Sequence, residues 1–213
     1  DDFTLEEIVD KFSISENQLI ELFDYAKKLG IDCTSTPFSH KEADFLTDKL
    51  DVPFIKVASM DLNNYQFLEY IGKKRKTIVL STGLSELHEI DKAIQVIEST
   101  GNKKLIILHC IATYPTADEN VNLNNIDTLK QMYPYPIGFS DHSIGYSIPL
   151  AASAKGACVI EKHFTLDKEM FGWDHKVSAN QEELKIIVKE TKRISNALGT
   201  NRIVCTESEE RKK

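Results

Sequence analysis

Pro136-Ile137-Gly138-Phe139-Ser140-Asp141-His142 and, 22 residues further on, Cys158-Val159-Ile160-Glu161-Lys162-His163 are the stretches that decide the fold. Each is a compact apolar run that turns polar at its C-terminal end. A strand covered on both faces of a parallel sheet reads this way when its end carries chemistry. Between them Ile148–Lys155 reads as a helix that stops at Gly156, so the two runs bracket one βα unit. Side-chain alternation puts Gly138, Ser140 and His142 on one face of the first run, and Val159, Glu161 and His163 on one face of the second. Lys162 has the opposite parity and is expected on the helix-facing side.

The pattern repeats upstream. Further strands are expected near Ile31–Ser35, Phe54–Ala58, Thr77–Ser81 and Leu105–His109, which makes six, spaced by 23, 23, 28, 31 and 22 residues. Ser15-Glu16-Asn17-Gln18 is a capping-box pattern that opens a helix running to Leu29, and Ser39-His40-Lys41-Glu42 opens another that ends near Leu50. Helices are also expected over Tyr65–Ile71, Glu86–Ser99 and Asn124–Tyr133, and from the Asn180-Gln181-Glu182-Glu183 cap to Gly199. Thr206–Lys213 reads as a frayed polar tail.

Repeated βα units build either a doubly wound open sheet or a (β/α)8 barrel. Gly83 and Gly138 stand alone, so no Gly-rich nucleotide fingerprint is present. Polar residues close nearly every strand: Thr34-Ser35-Thr36, Ser59, Ser81-Thr82, His109, Ser140-Asp141-His142 and Glu161-Lys162-His163. A ring of strand ends is where a barrel places its chemistry, whereas an open sheet needs it only at one crevice. The expected class is therefore α/β, a TIM (β/α)8 barrel with six of its eight βα units present.

Composition bounds the function. With 213 residues, 41% of them hydrophobic, the chain can bury a core as one domain. Its 26 Lys+Arg against 33 Asp+Glu give a net charge of −7, a poor balance for nucleic acid. Apolar runs are too short to span a bilayer, and Asp1-Asp2-Phe3-Thr4 lacks a basic leader, so a cytoplasmic location is expected. Cys33, Cys110, Cys158 and Cys205 form no C-x-x-C pair and read as small reduced core residues.

The chemistry converges on the strand ends. His142, His163 and Glu161 at one mouth suit a divalent cation used as a Lewis acid, or else are strand-end groups satisfied by hydrogen bonds. Lys56, inside Phe54-Ile55-Lys56-Val57-Ala58, either binds an anion, forms a Schiff base, or is a surface lysine at a strand edge. Asp174-His175 follows a loop, Lys168–Trp173, with the only tryptophan; a carboxylate there can serve as a base or remain an exposed loop group. Tyr114-Pro115-Thr116 is placed to line the same mouth.

Taken in order, Ser35-Thr36-Pro37-Phe38-Ser39, Lys56-Val57-Ala58-Ser59, Leu80-Ser81-Thr82-Gly83, His109-Cys110, Tyr114-Pro115-Thr116, Val121-Asn122-Leu123, Gly138-Phe139-Ser140-Asp141-His142-Ser143, Glu161-Lys162-His163-Phe164-Thr165 and Asp174-His175 resemble the sialic acid synthase family. That family includes the N-acetylneuraminate, legionaminate and pseudaminate synthases. The resemblance covers almost the whole chain. It implies a TIM-barrel transferase that uses Mn2+ or Mg2+ to condense phosphoenolpyruvate with an N-acylated amino sugar, such as N-acetylmannosamine, releasing phosphate. By position, His142 and His163 match metal ligands. Thr36, Lys56, Ser59 and Ser140 match residues that hold the phosphate and carboxylate of phosphoenolpyruvate. Tyr114, Asp61, Glu161 and Asp174 match positions around the sugar, the metal and the attacking water, with the three carboxylates as the catalytic set.

The resemblance also implies that residues 1–205 are strands three to eight of the barrel and that 206–213 lead toward an antifreeze-like domain. A homodimer is expected of the full-length protein. Three departures qualify this. Asp61 stands where relatives often have Glu, and Ala112 where they often have Asn or Ser. The glutamate and lysine of the family's first two strands have no counterpart, so the 213 residues alone are expected to be inactive. Two other readings are a non-catalytic fragment or degenerate paralogue, and a Schiff-base aldolase working through Lys56.

Overall fold

The computed structural model describes residues 4–212, so the reading made of Asp1-Asp2-Phe3 lies outside the described residues. The chain opens with α1 (Leu5–Phe12) and α2 (Glu16–Lys28), each closed at its start by a reciprocal capping box, Thr4 with Glu7 and Ser15 with Gln18. The sequence reading missed α1, although Thr4-x-x-Glu7 carries the same signal as Ser15-x-x-Gln18. The third helix, α3 (His40–Asp44), continues as one π-helical stretch over Phe45–Lys49, where the Thr47 hydroxyl donates to the Ala43 carbonyl.

From there strands and helices alternate strictly: β1 (Phe54–Val57), α4 (Tyr65–Lys73), β2 (Thr77–Ser81), α5 (Leu87–Ser99), β3 (Leu105–Cys110), α6 (Asn125–Met132), β4 (Ile137–Asp141), α7 (Ser147–Ala154), β5 (Ile160–Lys162) and α8 (Gln181–Leu198). All strand pairs are parallel, and the spatial order is β1-β2-β3-β4-β5. A doubly wound sheet must reverse its order at a switch point; this sheet never does, so it is an arc of a barrel.

The sequence reading expected six strands, and five are present among the described residues. Ile31–Ser35 joins no ladder. Its tie to β1 is a side-chain bond, the Thr34 hydroxyl donating to the Phe54 carbonyl at 2.6 Å. The start of the segment folds back instead onto α2, with Ile31 N–H donating to the Ala26 carbonyl. A β-rich composition cannot make a strand without a backbone alongside it. A cavity of about 720 Å³ remains between this segment, α2 and Leu50–Pro53.

One buried cluster carries the fold. Helix-facing Ile55, Val57, Ile78, Leu80, Ile107, Ile137 and Phe139 pack against Leu68 and Ile71 of α4, Ile94 and Ile97 of α5, and Ile126 and Leu129 of α6. Gly138 is required on the opposite face, because a Cβ there would sit 2.5 Å from Leu108 Cδ2 and 2.8 Å from the Val159 carbonyl oxygen.

Two smaller expectations are also corrected. Of the four cysteines only Cys110 is buried; Cys158 and Cys205 are exposed, and all are free thiols. The tail expected to fray forms a short turn of helix, α9 (Glu207–Glu210), capped by Thr206 and Glu209. No helix among the described residues is long and apolar enough to cross a membrane.

Candidate active site at the strand ends

A cavity of about 600 Å³ opens where the strands end, lined by Thr36, Lys56, Ser59, Ser81, Cys110, Tyr114, Ser140, His142, Glu161 and His163, among others. It is smaller than the gap beside α2, but titratable side chains from four strands and their loops converge here.

Glu161 is the hub of one half. The Ser140 hydroxyl donates to Glu161 Oε1 at 2.6 Å, and the Lys56 ammonium stands 3.6 Å from the same oxygen. Lys56 Nζ also donates to Ser81 Oγ and to the Val57 carbonyl, both at 2.9 Å. Burial lowers the Lys56 pKa from the ordinary lysine value, with Glu161 acting against that shift. Beside it, Ser59 Oγ accepts the Gly83 N–H at 3.0 Å and lies 3.5 Å from Cys110 Sγ. Burial raises the Cys110 pKa, which keeps the group a neutral thiol. The result is a cation, three hydroxyls and a backbone turn grouped at one end of the cavity, a donor set suited to an anion.

The other half is aromatic. His142 Nδ1 lies 2.8 Å from the Ile111 carbonyl. A carbonyl only accepts, so Nδ1 carries the proton and Nε2 keeps the lone pair. Burial lowers the His142 pKa and keeps the ring neutral. The His163 ring lies 5.4 Å from that of His142. Tyr114 covers both, tilted at 4.1 Å over His142 and edge-on at 5.6 Å to His163. Its phenol pKa is raised by burial. Asp174, in the left-handed region at φ 63° that aspartate tolerates, brings Oδ2 to 3.9 Å from His163 Nδ1.

Two imidazoles, one with its tautomer set by a carbonyl, fit a divalent cation that keeps open positions for water or substrate oxygens. Among the described residues, no group of three or more His, Cys, Asp or Glu side chains is arranged to hold a metal by itself.

Of the residues singled out from sequence, Thr36, Lys56, Ser59, Tyr114, Ser140, His142, Glu161 and His163 line this cavity, and Asp174 borders it through His163. Asp61 does not join them. It ends a short 3-10 turn, where Asn64 Nδ2 donates to Oδ1 at 3.2 Å and Oδ2 is buried without a partner. His175 is bonded to the Thr165 hydroxyl at 2.8 Å. Lys162 pairs with Asp141, on the parity opposite to Glu161. Cys110, between Ser59 and His142, was not read as part of the site; only its place on the same face as Leu108 pointed inward.

Residues 1–202 match the NeuB family. An uncharacterised protein of Methanocaldococcus jannaschii is 45% identical over 203 residues, covering 95% of this chain and 60% of that protein. The N,N'-diacetyllegionaminic acid synthase of Campylobacter jejuni is 39% identical over 207 residues, covering 96% and 62% respectively. The chain thus spans about three fifths of the length of these curated relatives. Among solved structures, the N-acetylneuraminic acid synthetase of Leptospira borgpetersenii, in complex with citrate, superimposes with a TM-score of 0.91 at 34% identity, over 97% of this chain and 72% of that one. The sequential parallel arc, its strand-end cavity and these matches lead to one statement: the chain belongs to the NeuB family.

Proposed function

We propose that this chain is the catalytic barrel portion of a synthase that condenses phosphoenolpyruvate with an N-acylated hexosamine to give a nonulosonic acid and phosphate. The observation that carries the reading is the division of one cavity into a cationic, hydroxyl-rich half organised by Glu161 and a paired-imidazole half. Lys56, Ser59 and Ser140, with Thr36 at the rim, hold the phosphate and carboxylate of one substrate. His142 and His163 hold Mn2+ or Mg2+. When bound, such an ion supplies Lewis-acid polarisation of a carbonyl oxygen. Tyr114, tilted over His142 and edge-on to His163, walls the sugar side and limits water. On this reading Glu161 and Asp174 are the carboxylates that accept a proton from the water that captures C2 of the enol substrate. Asp61, outside the cavity lining, acts on this reading only after its turn moves toward the site.

A polypeptide of the relatives' length that carries these residues releases phosphate when given Mn2+, phosphoenolpyruvate and the matching N-acyl hexosamine from a panel. It works as a cytoplasmic homodimer, read by light scattering. Residues 1–213 alone release none, because the β1 and β5 edges of the arc remain unpaired. Absence of phosphate release from the longer polypeptide with every sugar overturns the reading. A Schiff-base aldolase is the second reading, favoured by the lowered basicity of Lys56. Borohydride trapping of a keto substrate on Lys56 in the presence of EDTA decides for it.

A further inference from the structure

We propose that the buried Asp141–Lys162 ion pair is a positioning device that sets the spacing of His142 and His163. The proposal deepens the reading above and rests on it in taking the two imidazoles as ligands. Asp141 and Lys162 are the last residues of β4 and β5, and their Cα atoms are partners in the ladder. Each immediately precedes a site histidine. Their side chains are 0% and 3% exposed. Lys162 Nζ donates to Asp141 Oδ2 and to the Ser143 carbonyl, both at 2.6 Å. Asp141 Oδ1 accepts from Ser143 N–H at 2.9 Å and from Ser143 Oγ at 2.7 Å. The network therefore grips the residues on both sides of His142 and ties them to the residue before His163.

Stability alone does not account for it. Burying two charges costs their hydration, and such a pair seldom stabilises a fold more than well-packed apolar side chains do. Four residues deeper on the same helix-facing side, in register with Ile137, the strands carry Val57, Leu80 and Ile107, all apolar and buried. What four hydrogen bonds add is direction. β5 has three residues and three ladder pairs, so it is the strand least able to hold its own register. Apolar packing would let its end slide; the ion pair locks it, and with it the 5.4 Å separation of the rings.

The test uses the full chain with Asp141→Asn and Lys162→Met together, which removes both charges and keeps both shapes. Diethyl pyrocarbonate acylation of each histidine, mapped by peptide mass, reads imidazole access without metal or turnover. The exposed His88 is the internal reference. His142, nearly shut off from solvent in the parent, is expected to react about fivefold faster relative to His88 in the double variant. Affinity for Mn2+, followed by electron paramagnetic resonance, is expected to fall about tenfold or more. Lys162→Arg, which keeps the charge and its donors, stays within about twofold of the parent on both readouts. Unchanged His142 protection in a folded double variant overturns the proposal. If the double variant does not fold, Ser143→Ala decides: faster His142 acylation supports the device, and no change overturns it. A parent chain that binds no Mn2+ while the acylation pattern shifts as stated sinks the metal reading and leaves the positioning role standing.

Discussion

The Ser140 hydroxyl donates to Glu161 Oε1 at 2.6 Å across the β4–β5 ladder, and the Lys56 ammonium stands 3.6 Å from the same oxygen. One carboxylate oxygen thus serves a neutral donor and a cation from different strands. Ser140→Ala removes the shorter contact and leaves Glu161 directed by Lys56 alone. A lost hydrogen bond to a charged group is worth about 1.5–3 kcal/mol, so on the proposed function kcat/KM for phosphate release by the longer polypeptide falls about 10- to 100-fold. Calorimetry on the same variant shows little change in Tm. Unaltered turnover removes Ser140 from the machinery.

Lys56 carries a pH dependence of definite sign. Its folded pKa is lowered by burial, so the ammonium that attracts an anion is lost below the ordinary lysine value of 10.5. On the proposed function, affinity for phosphoenolpyruvate, measured by calorimetry, weakens as pH rises through that lowered value. Stability runs the other way. Between the folded and unfolded values the unfolded chain holds the extra proton, so this group's contribution to stability increases with pH. Lys56→Met abolishes that increase and lowers anion affinity by about 100-fold. A variant that binds as tightly as the parent excludes Lys56 from the anion site.

Gly138 and Gly83 answer to different measurements. A Cβ at Gly138 meets the Val159 backbone oxygen and Leu108 inside a strand buried on both faces. Overpacking of this kind costs about 1–3 kcal/mol, which for a chain of this size lowers Tm by about 2–12 °C. At Gly83 the Cβ meets Ser59 Oγ at 2.8 Å and the Ala112 backbone nitrogen at 3.2 Å. Gly83→Ala therefore displaces Ser59, and anion affinity drops more than Tm does.

His109 tests the helix-facing side. It is buried, stacked on Phe139, and its Nε2 lies 2.7 Å from the Val121 carbonyl. Burial lowers its pKa from the ordinary value of 6.5. Below that value the unfolded state takes up the proton first, so stability falls as pH drops from 6.5 through the lowered folded pKa. His109→Gln keeps a donor toward Val121 and removes the titration. The difference in Tm between parent and variant then varies with pH across this window and levels off below it. A difference independent of pH refutes the assignment.

Alternation by itself placed Ser140 and Glu161 on one face, and His142 and His163 beyond them, because side-chain direction in a strand follows from parity alone. It also sent Lys162 to the other face. Capping residues marked the starts of α2 and α8 for an equally local reason: Ser15 and Asn180 satisfy backbone N–H groups within their own first turn. The contacts that turn these residues into a site join separate parts of the chain. Whether Ile31–Ser35 becomes a strand depends on a backbone running beside it, and here only the Thr34 hydroxyl reaches β1. Asp61 shares a short segment with Ser59, yet the 3-10 turn takes it toward Asn64 and out of the cavity. Tyr114 over the two imidazoles, Cys110 between Ser59 and His142, and Asp141 paired with Lys162 each need elements brought together across the sheet. Local periodicity determined which way each side chain points along its own strand. Only the packing of strand against strand decided which of them meet, because a hydrogen bond or ring contact acts over a few ångströms and is silent about the residues between its partners.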